Sequence, residues 1–184
     1  MRITKRTAGR LATLAVGIAA TASVAAAVSA AAFARTTGPA QAAGPACQAS
    51  HLSLRLVGTD TGVGTTALTV AIANHAARAC VLTGYPSLSL IRANGAPVPS
   101  PFGHGSGGWF AGQTVRPVRV APAGQASFFI TYRDFNPVTG HPGPAVSALR
   151  VRLPGVAGQF TVPARFAPYG PISVSPIRAG ARQE

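Results

Sequence analysis

The chain has 184 residues, a length for one folded domain. It carries 16 Lys and Arg against 3 Asp and Glu, a formal net charge of +13. With Asp60, Asp134 and the terminal Glu184 as its whole acidic complement, it is poorly equipped for paired-carboxylate hydrolysis, and with Met1 its only methionine it holds no Met-rich copper site.

Taken in chain order, the first ten residues, MRITKRTAGR, carry Arg2, Lys5, Arg6 and Arg10 and no acid. Residues 11–33 then run without a charge and lead to two small-x-small sites, Ala32-Phe33-Ala34 and Ala40-Gln41-Ala42. A basic start, an apolar middle and an A-x-A site are the layout of a secretory signal peptide, here expected over 1–42 with cleavage after Ala42. The alternative is a retained membrane anchor over 11–34, since about 20 apolar residues span a bilayer. The run is alanine-rich and only weakly hydrophobic, which favours cleavage. Cys47 follows Gly44-Pro45-Ala46, which does not fit a lipoprotein box. Residues 35–46, RTTGPAQAAGPA, read as a Gly/Pro/Ala linker, with 43–46 as the flexible part left after cleavage.

From Cys47 the pattern has a period of two. HLSLRLV sets Leu52, Leu54 and Leu56 against Ser53 and Arg55, and TTALTVAIAN groups Leu68, Val70 and Ile72. PSLSLIR sets Leu88 and Leu90 against Ser87, Ser89 and Arg92. QASFFITYRD groups Ala126, Phe128, Ile130 and Tyr132, and SALRVRLP sets Leu149, Val151 and Leu153 against Arg150 and Arg152. GQFTVPA and PISVSPI follow. Such alternation predicts half-buried strands. The connectors TDTGVGT, RANGAPVPSP, VAPAGQ, NPVTGHPGP and PGVAG are rich in turn formers. Sixteen prolines and no helical stripe argue against long helices. Seven or eight short strands predict an immunoglobulin-like antiparallel β-sandwich over 47–178, with 179–184 as a tail.

Residues 93–114, ANGAPVPSPFGHGSGGWFAGQT, interrupt this pattern with a long connection of the kind that is often functional or disordered. Trp109 and Phe110 either fold back onto the sheet and pin the connection or stand out as a platform for a ligand. As a binding surface, the expected contact residues are His104, Trp109 and Phe110, flanked by Arg116 and Arg119.

Cys47 and Cys80 are the two cysteines, and in an exported chain two thiols are expected to pair. The alternative is a Cys80 thiolate activated by Arg78 and His75, which requires Cys47 to stay unpaired. His51, His75, His104 and His141 are isolated from one another, so neither a metal site nor any cofactor is expected. GxSxG, HExxH and P-loop patterns are absent from the sequence. After residue 42 all eleven basic residues are arginine, a net +8 against the three acids. They are scattered and form no run, so nucleic acid is not an expected partner, whereas anionic wall polymers or lipids are possible ones. The lack of lysine beside abundant Ala, Gly, Pro and Val also fits the coding bias of a GC-rich genome.

The segment LTVAIANHAARACVLTGYPSLSLIRANGAPV, preceded by Cys47 and a strand, resembles the domain-of-unknown-function family numbered 4232, a group of exported actinobacterial domains. The family features fall on Asn74, Cys80, Gly84, Tyr85 and Pro86, and VRVAPAGQASFFITYRD is similar to its later valine strand, turn and alternating strand. The resemblance covers about 47–178, implies an exported sandwich, often lipoprotein-like or wall-associated, and supplies no catalytic residue. Family members often carry further cysteines in the C-terminal half, where this chain has none. The resulting expectation is a secreted, monomeric, non-catalytic module of the cell envelope or extracellular space that binds a protein or envelope partner. One alternative is an arginine-based electrostatic binder of anionic wall polymer or lipid, and another is an unrecognised secreted enzyme.

Overall fold

The computed structural model describes residues 44–105 and 108–181. The expected signal segment, its cleavage sites, the alternative anchor and the last three residues lie outside them. The strands are β1 (Leu52–Gly62), β2 (Thr65–Asn74), β3 (Cys80–Leu82), β4 (Ser87–Ile91), β5 (Pro97–Val98), β6 (Phe102–His104), β7 (Val118–Val120), β8 (Gln125–Arg133), β9 (Val146–Arg152), β10 (Phe160–Phe166), β11 (Tyr169–Val174) and β12 (Arg178–Ala179). The seven that reach five residues or more coincide with the alternating runs of the sequence, and five shorter ones are added to them.

One sheet runs β1-β2-β8-β11-β6, with β12 also on β8; a second runs β10-β9-β4-β5; β3 and β7 form a separate ribbon. The sheets stack in a sandwich-like arrangement around one hydrophobic cluster, and no barrel closes. One pairing departs from the antiparallel expectation. β6 lies parallel to β11, because the 93–114 connection leaves the second sheet after β5 and crosses to the far edge of the first.

Leu68, Val70 and Ile72 of β2 face the core with Phe128, Ile130 and Tyr132 of β8, Leu88 and Leu90 of β4, and Leu149 and Val151 of β9. Each such large side chain removed from water stabilises the fold by about 1.5–3 kcal/mol. The opposite faces of β2 and β8 are buried as well: Ala67, Thr69, Ala71, Ser127, Phe129 and Thr131. Strict alternation predicts a wet face there. It is dry because β2 and β8 are central strands and the 108–113 segment lies over them. Where β11 gives way to β12, Ser175 mends the ladder. Its buried Oγ accepts from the Phe129 amide at 2.9 Å and donates to the Pro176 carbonyl at 3.0 Å.

Two devices hold the end of β2. The first is Asn74, fully buried. Its Nδ2 donates toward the carbonyls of Arg78, Val120 and Ala121 at 3.0, 3.1 and 3.2 Å, and its Oδ1 accepts from the Ala76 amide at 3.0 Å. Its backbone donates to Gly124 and accepts from Ala123. The second is the disulfide between Cys47 and Cys80, 33 residues apart with Cα atoms 4.8 Å apart. The expected pairing is therefore present, and the thiolate alternative fails because both sulfurs are in the bridge. Beside it Ala46 bridges Val81 and the Val81 amide donates to Pro45 at 2.9 Å, so these residues of the expected linker run along β3. At the other terminus Ala179 pairs with Ala126, which carries the sheet into the expected tail.

Two outcomes follow from these contacts. Reducing the bridge should lower unfolding free energy in a denaturant titration by about 3–4 kcal/mol, the chain-entropy value for a loop of this length, with no thiol labelled before reduction. Asn74→Ala removes the side-chain donor shared by the carbonyls of Arg78, Val120 and Ala121, the Val120 bond being buried, and should cost on the order of 3 kcal/mol in the same titration.

Candidate functional site

The 93–114 connection begins as a hairpin. Asn94 and Gly95 turn the chain, Arg92 and Ala96 close it through a 2.9 Å backbone bond, and β5 pairs with the end of β4. The chain then crosses to β6, held on β11 by the Ile172 amide donating to Pro101 at 2.9 Å and by the Gly105 amide donating to Val174. A single 3-10 turn, Gly108–Phe110, follows, and Gln113 closes it with a backbone bond to Phe110 and a side-chain bond to the Trp109 carbonyl at 3.0 Å.

The two adjacent aromatics divide the two roles open to them. Phe110 is 8 % exposed and packs on Phe129 of β8, ring centroids 4.9 Å apart. It anchors the connection, and the outer face of β8 is dry for that reason. The Arg178 guanidinium sits 5.3 Å from the same Phe129 ring, a cation–π contact that adds to this cover. The chain passes beneath Phe110 at Gly105, where a Cβ would collide with the ring, so any other residue must displace it. Trp109 is 40 % exposed and lies along Gly62 at the β1–β2 turn.

His104 is exposed, and its ring is stacked on Tyr85, centroids 3.6 Å apart and planes 8° from parallel. Tyr85 is held by the Gly84 turn. Gly84 has φ +96°, a conformation that favours glycine, and its carbonyl accepts from the Ile177 amide at 2.9 Å. Between these rings and β4 lies a groove of about 380 Å³ lined by Pro86, Ser87, Leu88, Phe102, Gly103, His104 and Val174. Arg116 is exposed with its Nε donating to Thr114 at 3.0 Å, and Arg119 projects from β7 opposite Val81. Tyr85 and Phe102 are absent from the set expected from sequence. The Gly-Tyr-Pro turn was the available signal for Tyr85, and nothing local marks Phe102.

A second concavity of about 470 Å³ surrounds the disulfide, with Gln48, His51, His75 and Arg78 on its wall. His75 Nε2 and the Ser53 hydroxyl share a 2.6 Å hydrogen bond. With both sulfurs bonded, these groups border an inert bridge. Burial and the nearby Asp134 push the Tyr132 phenol above its usual range, and its bond with Thr66 opposes them in part. That ring belongs to the core, tilted by 32° against Phe166 with centroids 4.9 Å apart. Among the described residues there is no group of three or more His, Cys, Asp or Glu that could hold a metal ion, and no helix long and apolar enough to cross a membrane. A disulfide of this kind fits an oxidising compartment.

The arrangement offers rigid aromatic surface, ring-edge and backbone polar groups and separated guanidinium charges, all groups suited to contact. Trp109 is the only tryptophan in the chain, so its emission reports on this site alone. Gly105→Ala should lift Phe110 from Phe129 and shift Trp109 emission to longer wavelength. The bridge and the core remain, so far-ultraviolet circular dichroism should stay unchanged.

No curated protein and no solved structure matches the chain. Asn74, Cys80, Gly84 and Tyr85 thus hold a strand end, a bridge and a turn. Residues 47–179, from the first cysteine through β12, match the model of the family described as Domain of unknown function (DUF4232), and the chain belongs to that family.

Proposed function

We propose that this protein is an exported, monomeric, non-catalytic binding module whose contact surface is built on the 101–113 segment. The observation that carries the reading is the division of labour between neighbours: Phe110 is spent on anchoring, which leaves Trp109 exposed on a fixed backbone. An exposed aromatic held in one orientation loses little entropy on binding and is typical of interface hot spots. His104, fixed by its stack on Tyr85, extends that surface. Export is supported by the signal layout of residues 1–42 and by the bridge.

A second reading rests on a different face. Arg150 and Arg152 of β9 pair with Ser89 and Ser87 of β4, and these residues and Arg165 of β10 are all exposed. The outer side of the second sheet therefore carries three arginines, while Asp60 lies on β1 and Asp134 follows β8. Such a face suits an anionic wall polymer.

The two are separated by retention of envelope components on the immobilised protein. Trp109→Ala should reduce retention roughly tenfold, the effect of losing an anchor of about 1.4 kcal/mol, with little change on raising salt. Retention that survives Trp109→Ala but collapses with salt or on replacing Arg150, Arg152 and Arg165 would assign binding to the arginine face.

A further inference from the structure

Trp109 does not stand alone. The β1–β2 hairpin turns through Val63 and Gly64, both at positive φ, +43° and +72°. For glycine this is ordinary. For a β-branched valine it is a strained conformation that the fold must hold in place. Val63 is also fully exposed, so neither packing nor turn preference accounts for valine at this tip. Turns of this type take Asn, Asp or Gly.

Two other segments bring aromatics to the same tip. The Trp109 ring lies along Gly62, its Cζ2 3.9 Å from where a side chain there would begin. The Phe135 ring lies against Gly64, 3.2 Å from the corresponding point, and the Asp134 amide donates to the Gly64 carbonyl at 3.1 Å. Phe135 is 44 % exposed, and Val138, on the same loop, is 90 % exposed. Four of the six large apolar side chains exposed among the described residues thus belong to the tip or to the two loops packed against it. Arg133, exposed at the end of β8, stands at the base of the hairpin opposite Thr65.

We infer that this tip docks on an anionic lipid surface, with Val63, Phe135 and Val138 entering the apolar boundary and Trp109 lying at the headgroup level. The inference rests on the reading of Trp109 as a contact residue and names its partner. Apolar tips flanked by a tryptophan and an arginine match the layering of a membrane interface. After residue 42 the chain carries a net +8, which supplies the long-range attraction to anionic headgroups that a few apolar side chains need for stable attachment and outweighs Asp60 on β1 and Asp134 beside Phe135. That same charge disfavours a second copy of the chain as the occupant.

The test uses the mature chain, residues 43–184, with vesicles of phosphatidylglycerol and phosphatidylcholine, or of phosphatidylcholine alone, some carrying brominated acyl chains. Trp109, the only tryptophan, should shift to shorter wavelength and be quenched by brominated lipid in the anionic vesicles. Val63→Asp with Phe135→Asp should abolish the quenching. Val63→Gly is the sharper variant. It relieves the positive-φ strain and should raise the melting temperature while weakening quenching-detected binding several-fold. Absence of quenching in anionic vesicles, or quenching that Val63→Gly and the double variant leave unchanged, overturns the inference. If Trp109→Ala still abolishes retention of an envelope protein while brominated lipid leaves Trp109 unquenched, the partner is a protein: the lipid assignment falls and the binding-module reading stands.

Discussion

The carboxamide of Asn74 is the point from which the rest of the domain is organised. β2 runs through the middle of the first sheet and must stop where the chain turns toward Cys80. At that point several stretches of backbone leave their ladders with polar groups facing inward. One buried side chain meets them, donating toward carbonyls at 78, 120 and 121 and accepting the amide at 76. An aspartate of the same shape has no donor to give, and an apolar residue has neither donor nor acceptor. Because buried polar groups without partners are costly, the 74–80 turn and the β7–β8 turn are set together around one residue. Their placement brings Cys80 within reach of Cys47 and aligns β3 with β7.

The second organising contact is between Phe110 and Phe129. A long connection gains little by itself from crossing an open sheet. Here it lays one ring on the outer face of β8 and converts that face into a second, smaller buried layer. Gly105 permits the close passage, and β6 adds a parallel ladder at the sheet edge. The long connection is thereby made a fixed platform, and the residue beside the anchor is left outside. Function in such a domain resides in what the scaffold leaves exposed and oriented, and the scaffold accounts for Asn74, Cys80, Gly84 and Tyr85 among the residues that carry the family likeness.

The strained Val63 tip belongs to the same logic. A hairpin between two long, well-paired strands is over-determined by its ladder, so it can tolerate an unfavourable residue at its turn. Stability lost at one residue is small beside a core that spans both sheets.

Much of this was legible in the sequence. A period of two reports which residues share a face, because successive side chains on a strand point to opposite sides, and the runs at 52–56, 68–72, 87–92, 126–132 and 149–153 became β1, β2, β4, β8 and β9. Two cysteines leave one intramolecular pairing, and that pairing is the one present. Periodicity is local, however, and cannot say what covers the other face of a strand. That Thr69 and Phe129 are as dry as Val70 and Phe128 depends on a segment that crosses from the opposite sheet. Which of two neighbouring aromatics is buried depends on the direction of that crossing. The cluster of Val63, Trp109 and Phe135 joins three stretches far apart in the chain, brought together only when β1, β2 and β8 are paired in register. The sequence by itself determined the seven longer strands, the bridge and the family; the tertiary structure decided the surface, because exposure is a property of neighbours that lie far away along the chain.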